Sequence, residues 1–371
     1  MIRVLQVIGA MDRGGAETML MNLYRAIDRD RIQFDFLVHE HRVCDYDNEI
    51  QSLGGYVFGG LPRFSGANYY KYRESCKDFF SLHDDYPIVH GHISSCAPIY
   101  LCAAKKTGCK TIAHSHSQNY PLSIMQLGFR CVSYPVRFVA DEFMACSREA
   151  GIDRFGKSIV LSDRFHILNN AIDTKRYECN EAEHLAAKAV LGFDSGPLIG
   201  HVGRFDPVKN HKFLILVFKK LLGIIPNAKL LLVGRGPDED KIKQQVNAVG
   251  IQNNVIFFGI TDQIPTIMKA LDAFVFPSFS EGLSMAAIEA QCAGVPCLLS
   301  TGVPEQAVTT PQLVTRISLD KGEEFWAASI KALLANDTSR ESGAIGTRHC
   351  GYDISDTAQW LMSYYENLAA C

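Results

Sequence analysis

Residues 274–290 read Phe274-Val275-Phe276-Pro277-Ser278-Phe279-Ser280-Glu281-Gly282-Leu283-Ser284-Met285-Ala286-Ala287-Ile288-Glu289-Ala290. A short apolar, β-prone run meets a proline, then a polar, glycine-containing stretch, then an Ala-rich segment of helical character. This is a strand–loop–helix unit, with a strand over Phe274–Phe276 and a helix near Met285–Ala293. The same alternation extends in both directions. Further strands are expected at Leu198–Val202, Lys229–Val233, Val255–Phe258 and Pro296–Leu299. Helices are expected near Phe213–Ile224, Asp240–Val249, Thr266–Ala270 and Glu324–Leu334.

The N-terminal half repeats the pattern. Its strands are expected at Val4–Ile8, Phe34–Val38, Ile88–His90, Lys110–Ala113, Glu142–Ala145 and His166–Leu168. Between the first two, Ala16, Met19, Leu20, Leu23 and Ile27 recur at the three- and four-residue spacing of an amphipathic helix. Such alternation predicts an α/β fold of parallel sheets covered by helices on both faces. Two Rossmann-like domains are expected, residues 1–175 and 176–352. A last helix, 353–371, packs back on the first domain through Trp360, Leu361, Tyr364 and Leu368. In open α/β sheets the ligand sits beyond the C-terminal ends of the strands.

Composition narrows the function. The chain has 371 residues, enough for two domains, and 47% are hydrophobic. It has 37 Lys+Arg against 40 Asp+Glu, a net charge of −3, which argues against a dedicated nucleic-acid binder. It has no run of about 18 apolar residues, so no membrane-spanning helix is expected. The first residues are too short and too strand-like for a signal peptide. The 12 cysteines form no Cys-x-x-Cys pair, so they read as reduced thiols of a cytoplasmic protein.

Four stretches carry chemistry. Gly14-Gly15-Ala16-Glu17 opens a helix after the first strand, where glycines admit a close ligand and free N–H groups face it. It lacks the Gly-x-Gly-x-x-Gly spacing, which disfavours nicotinamide binding. Gly203-Arg204-Phe205-Asp206-Pro207-Val208-Lys209 follows a strand, and its two cations suit a diphosphate. Glu281 and Glu289 are eight positions apart, so on one helix they would stand about 80° apart. Glu281 is therefore placed in the loop and Glu289 in the helix, each holding hydroxyls of a different part of one long ligand. The amides of Gly282, Leu283 and Ser284 lie at the helix's positive end. Finally, His114 and His116 end one strand, and His90 and His92 repeat the spacing at the strand before. One of the first pair is a candidate acid–base or orienting group. No carboxylate or cysteine lies close by in sequence, so no metal is expected.

Together these residues resemble glycosyltransferase family 4, the retaining transferases of GT-B fold. Gly14-Gly15-Ala16-Glu17 is similar to the family's N-terminal glycine loop. Leu168-Asn169-Asn170-Ala171-Ile172-Asp173 is similar to its interdomain segment, with Asn169-Asn170-Ala171 in place of the usual Pro-Asn-Gly. Arg204…Lys209 and Glu281…Glu289 resemble the two donor-site motifs, and Gly294-Val295-Pro296 the Gly-x-Pro that follows. Leu283-Ser284 stands where many members carry an aromatic and another small residue, which leaves the sugar open. In style the chain is closest to capsular and exopolysaccharide enzymes that act on lipid-linked oligosaccharides.

The resemblance implies roles residue by residue. Arg204 and Lys209 neutralise the donor diphosphate, most simply that of a UDP-sugar. Glu289 holds the ribose, Glu281 the sugar hydroxyls, and Phe258 lies beside the base. Gly14, Gly15, Gly282, Leu283 and Ser284 add contacts to phosphate and sugar. His114 is the active-site histidine, with His116 as the alternative. No metal is called for. The product is a hexose or N-acetylhexosamine joined to a saccharide or lipid-linked oligosaccharide. The rival readings are a nucleotide-sugar epimerase of the same fold, or a catalytically silent partner of another transferase.

Residues 101–140 contain no Asp or Glu and five cations, Lys105, Lys106, Lys110, Arg130 and Arg137. Tyr120, Leu122, Ile124, Met125, Leu127, Phe129, Tyr134 and Phe138 are interleaved with them. That mixture suits an anionic membrane surface and a peripheral location on the inner face.

Overall fold

A computed structural model describes residues 1–116, 124–193, 195–336 and 339–370, without the side chains of 124–127. The chain divides into two compact units, Met1–Ala171 with Ile354–Cys371, and Ile172–Asp353. The chain thus crosses between them at Ala171/Ile172 and Asp353/Ile354, a few residues from the expected 175/176 and 352/353. The two crossings are neighbours: Ile172 forms a parallel bridge with Asp353, and its N–H donates to the Tyr352 carbonyl at 2.9 Å.

The first unit holds seven strands: β1 (Ile2–Ile8), β2 (Ile32–Val38), β3 (Val57–Phe58), β4 (Ile88–Gly91), β5 (Lys110–Ser115), β6 (Glu142–Ala145) and β7 (Phe165–Ile167). They pair in the order β3-β2-β1-β4-β5-β6-β7, every pairing parallel. The second unit holds β8 (Leu198–Val202), β9 (Lys229–Val233), β10 (Val255–Gly259), β11 (Ala273–Phe276), β12 (Cys297–Ser300) and β13 (Val314–Ile317), in the order β10-β9-β8-β11-β12-β13, again all parallel. Strands buried on both faces need no alternation, and β2 is buried at all seven positions.

Strand order reverses between β1 and β4 in the first sheet and between β8 and β11 in the second. At such a switch point the loops leave the C-terminal strand ends in opposite directions and open a crevice. Each unit therefore has one such place, and both candidate sites fall there.

Helices cover both faces. Gly15–Ala26 buries Met19, Leu20, Leu23 and Tyr24 on the first sheet. The final helix, Ile354–Ala370, returns to the same unit. There it buries Ile354, Ala358, Leu361, Met362 and Tyr365 in the core with Phe34 and Leu20. Removing that apolar face from water contributes on the order of 1.5–3 kcal/mol per large side chain, offset by the entropy of ordering the helix. The eleven described cysteines are all free thiols, eight of them buried. No described helix is long and apolar enough to cross a membrane.

Candidate functional site

In the second unit, the loops after β8 and β11 carry the expected donor residues. Asp206 starts the first turn, its Oδ1 accepting from the Lys209 N–H at 3.2 Å. Asn210 then takes a left-handed conformation (φ 56°) and launches the helix His211–Leu222. Asn is among the few residues that adopt it at small cost. This turn projects Lys209 back toward β11. Its Nζ donates to both carboxylate oxygens of Glu281 at 2.8 Å and lies 4.8 Å from the centre of the Phe276 ring. The Phe279 N–H donates to the Val208 carbonyl at 2.9 Å, tying the two loops together.

The pair is mostly shielded from water, Lys209 19% and Glu281 10% exposed by side chain. In that setting it is worth more than a surface pair. A lysine has three protons to donate and a carboxylate about four lone-pair sites. Paired to each other, both groups keep capacity for a ligand. Arg204 is exposed just after β8 and has no ion-pair partner among the described residues. Gly282 is exposed, Leu283 half-buried, and Ser284 caps the helix Met285–Cys292, its Oγ accepting from the Ala287 N–H at 3.4 Å.

Glu289 lies inside that helix and does not touch Lys209. Burial raises its carboxyl to about 7, against the Tyr177 hydroxyl and the Arg176 charge, which favour the ionised form. A carboxyl so perturbed is a candidate for a binding role. Phe258 is the penultimate residue of β10, half-buried beside Gly259, which ends the strand with φ +80°.

Sequence reasoning passed over one cation. Gly234-Arg235-Gly236 follows β9, and Arg235 is exposed there. Gly234 has φ +130°, and a Cβ on it would lie 2.2 Å from the Gly203 carbonyl oxygen. Only glycine lets the loops after β8 and β9 approach this closely. The Gly-x-Gly after a strand was the available signal.

In the first unit, Gly14 precedes the helix Gly15–Ala26 with Glu17 folded over it: a Cβ on Gly14 would meet Glu17 Oε2 at 2.2 Å. Gly15 is exposed with open space where a Cβ would point. The four histidines gather at the β1/β4 switch point. His114 lies within β5, 1% exposed, its ring stacked on His90 and His116 at 5.2 and 4.1 Å. Neither of its nitrogens has a hydrogen-bond partner among the described residues. His116 is the next residue beyond the end of β5 and is half-buried. Of the two, His116 stands just past the strand end and His114 lies inside the strand.

The basic stretch 101–140 is only partly described: Tyr120 and Leu122, and the side chains of Ile124, Met125 and Leu127, lie outside the described residues. Phe129, Val132, Tyr134 and Phe138 are exposed, the last at 76%. Two of the cations are engaged, Lys105 with Asp141 at 2.5 Å and Arg130 with Asp153 at 2.7 Å, while Arg137 lies over the Tyr134 ring. A groove of about 560 Å³ beside them is lined by Tyr69, Arg73, Lys77, Ile99, Lys106 and Val132, among others.

A cavity of about 440 Å³ in the second unit, lined by His184, Lys188, Asp272 and Arg340, lies at the opposite, N-terminal edge of its sheet. There Asp272 accepts from His184, Lys188 and the Leu198 N–H, a closed network that braces the strand starts.

Comparison with known proteins agrees with this layout. The family described as Glycosyltransferase Family 4 matches residues 13–176, and that described as Glycosyl transferases group 1 matches residues 186–347. The chain is 34% identical over 372 residues to EpsF of Bacillus subtilis (strain 168), named as a glycosyltransferase, covering 98% of this chain and 96% of that one. It is 23% identical over 314 residues to UDP-Gal:alpha-D-GlcNAc-diphosphoundecaprenol alpha-1,3-galactosyltransferase of Escherichia coli, covering 77% and 78%. The crystal structure of Anabaena Alr3699/HepE in complex with UDP superposes with a TM-score of 0.79 at 16% identity, over 99% of this chain and 100% of that one.

Proposed function

The chain belongs to glycosyltransferase family 4, an enzyme family of GT-B fold, and from that premise we propose what it transfers. It moves a hexose or N-acetylhexosamine from a UDP-sugar to a saccharide or lipid-linked oligosaccharide, with retention of anomeric configuration, in polysaccharide biosynthesis. One observation carries the reading: Lys209 and Glu281 meet at the switch point of the second sheet, and the loop that carries Lys209 also carries Arg204. The Escherichia coli relative, named for a UDP-Gal donor and a diphosphoundecaprenol acceptor, and the UDP complex of HepE support the choice of nucleotide and acceptor.

The chemistry follows from charge. As the bond from sugar to diphosphate breaks, negative charge accumulates on the leaving diphosphate. Arg204 meets it as a two-pronged donor and Lys209 as a point charge, with the amides of Gly282, Leu283 and Ser284 at the helix end. Glu281 fixes the Lys209 ammonium and uses its remaining lone pairs for donor-sugar hydroxyls. Glu289 accepts from the ribose hydroxyls, and Phe258 lies by the base. These cations neutralise the diphosphate, so the reading calls for no metal ion. Within the first unit, His116, with His114 stacked on it, is the candidate for contact with the acceptor saccharide, and Gly15 has open space at its Cβ. The exposed aromatic residues Phe129, Tyr134 and Phe138, with the Arg73, Lys77 and Lys106 rim, rest on an anionic inner membrane surface.

The test is product analysis. Purified protein is incubated with UDP-glucose, UDP-galactose and their N-acetyl forms and a diphosphopolyprenol-linked saccharide. UDP release with a new α-linked product supports the reading. A change in the donor sugar without transfer would establish the epimerase instead. Flotation with anionic liposomes tests the surface; no binding at low salt would sink that part.

A further inference from the structure

The four histidines clustered at the ends of β4 and β5 pose a physical problem. His90, His92 and His114 are buried, and one nitrogen of each lies within 4.8 Å of the others, a spacing that invites a metal. The ring planes argue otherwise. His90 stacks on both neighbours, on His92 at 4.4 Å and 28° and on His114 at 5.2 Å and 19°, while His92 and His114 are tilted by 46°. Imidazole lone pairs lie in the ring plane, so near-parallel rings aim them side by side rather than at one point. Both nitrogens of His92 are also already engaged.

The hydrogen bonds form a directed chain instead. Gln6 is fully buried in β1. Its Nε2 donates to the Tyr365 hydroxyl at 3.4 Å, which commits its Oε1 to accepting. That oxygen lies 2.8 Å from His92 Nε2, so His92 Nε2 carries the proton. A neutral imidazole has one proton, so His92 Nδ1 is a bare acceptor. It lies 2.7 Å from His116 Nε2, which must therefore donate. The Nδ1 of His116 is left buried, with no partner among the described residues. Burial keeps both rings neutral at pH 7, His92 well below its usual range and His116 at about 4.

We propose that Gln6 and His92 are positioning residues that fix the Nε2–H tautomer of His116, so that His116 offers substrate a bare Nδ1. A bare nitrogen accepts a hydrogen bond, so its ligand is a saccharide hydroxyl rather than a carbonyl or phosphate oxygen. The orphaned nitrogen is otherwise an uncompensated cost of burial, and a bound hydroxyl removes it. Tyr365 enters because it orients the Gln6 amide, and it comes from the last helix, 359 positions away in sequence. The substrate half of this inference rests on the glycosyltransferase reading; the tautomer half does not.

The experiment is long-range proton–nitrogen NMR of the full chain with ¹⁵N-histidine at pH 7.5, assigned with His92→Phe and His116→Ala. The expected spectrum shows His116 protonated on Nε2 and bare on Nδ1. Gln6→Leu, which leaves the buried His92 Nε2–H without its acceptor and lowers the melting temperature, gives a tautomer mixture at His116 in the folded chain. Its kcat falls about tenfold or more, as for other partners that orient a working imidazole. Gln6→Glu, which still accepts, restores the single tautomer. A wild-type His116 protonated on Nδ1 overturns the proposal, and this readout needs no folded variant. Should His116 hold the expected tautomer while no UDP-sugar is turned over, the donor reading fails and the chain stands.

Discussion

Lys209 Nζ sits 2.8 Å from both carboxylate oxygens of Glu281, although the two residues are 72 positions apart and follow different strands. A cation and an anion expected to serve one ligand are thus already joined, and their substitutions should have opposite effects on nucleotide binding. In Glu281→Gln the carboxylate beside the diphosphate site is gone and the Lys209 charge is released. UDP should then bind as tightly as to wild type or more so, while turnover of the UDP-sugar falls. Titration calorimetry beside steady-state kinetics reads both; weaker UDP binding in this variant would contradict the pairing.

On the proposed reading, Lys209→Ala removes charge where charge grows in the transition state. The loss should fall on kcat more than on UDP affinity, by about 10²–10³, the range for one preorganised stabilising group. An effect on KM alone would place Lys209 in ground-state binding.

Glu289 supplies a pH signature. Its carboxyl is raised from the usual 4.5 to about 7 by burial. The neutral form is favoured in the folded chain, so this group's contribution to stability is present below pH 4.5 and lost as pH rises through 7. Ribose hydroxyls favour the carboxylate, so UDP binding should release a proton and tighten between pH 6 and 8. Glu289→Gln should flatten that dependence. A pH-independent Kd in the wild type would remove Glu289 from the ribose site.

How far the sequence was legible depends on the element. Strands Glu142–Ala145, Leu198–Val202 and Lys229–Val233 agree with the structure at both ends, because each is a short, mostly apolar stretch that the sheet buries. Val57–Phe58 was not foreseen, being two residues at a sheet edge. Val314–Ile317 was also missed, an edge strand with Thr315 and Arg316 in its middle. The helix Glu341–His349 was hidden by Gly343 and Gly346. A Cβ on Gly343 would lie 2.0 Å from the Gln291 carbonyl, so the glycine serves close helix packing rather than a break. At the site, the repeated His-x-His spacing announced the histidine group. Its wiring was invisible, since Gln6 and Tyr365 join only through the fold. The Lys209–Glu281 contact was likewise out of reach of any local spacing.

The histidines also set the acid limit. His90, His92, His114 and His201 are held well below their usual 6.5 by burial, and His39, His116 and His211 at about 4. Below pH 6.5 the unfolded chain takes up protons that the folded chain refuses. Their contribution is therefore present above 6.5 and lost as pH falls through 4. Seven such groups outweigh the opposite trend of Glu289. The melting temperature should fall steadily from pH 7 to pH 5; a flat profile would mean that these rings titrate normally when folded.

Gly234→Ala puts a Cβ 2.2 Å from the Gly203 carbonyl at φ +130°. Backbone strain of this kind costs about 1–3 kcal/mol before the clash is counted. The variant should lose several degrees of melting temperature and most of its UDP affinity, whereas Gly15→Ala, with open space at its Cβ, should keep its melting temperature. Equal melting temperatures for Gly234→Ala and wild type would refute the close approach of the two loops.

The loops after β8 and β11 are proposed to bind a nucleoside diphosphate through Arg204 and Lys209. Calorimetric titration of UDP, GDP and ADP into wild type and Arg204→Ala decides this. Saturable UDP binding to wild type is expected, with weaker binding of the other two and a marked loss in Arg204→Ala at unchanged melting temperature. No binding of any nucleotide to the folded wild type would contradict it, and would favour a silent partner of another transferase.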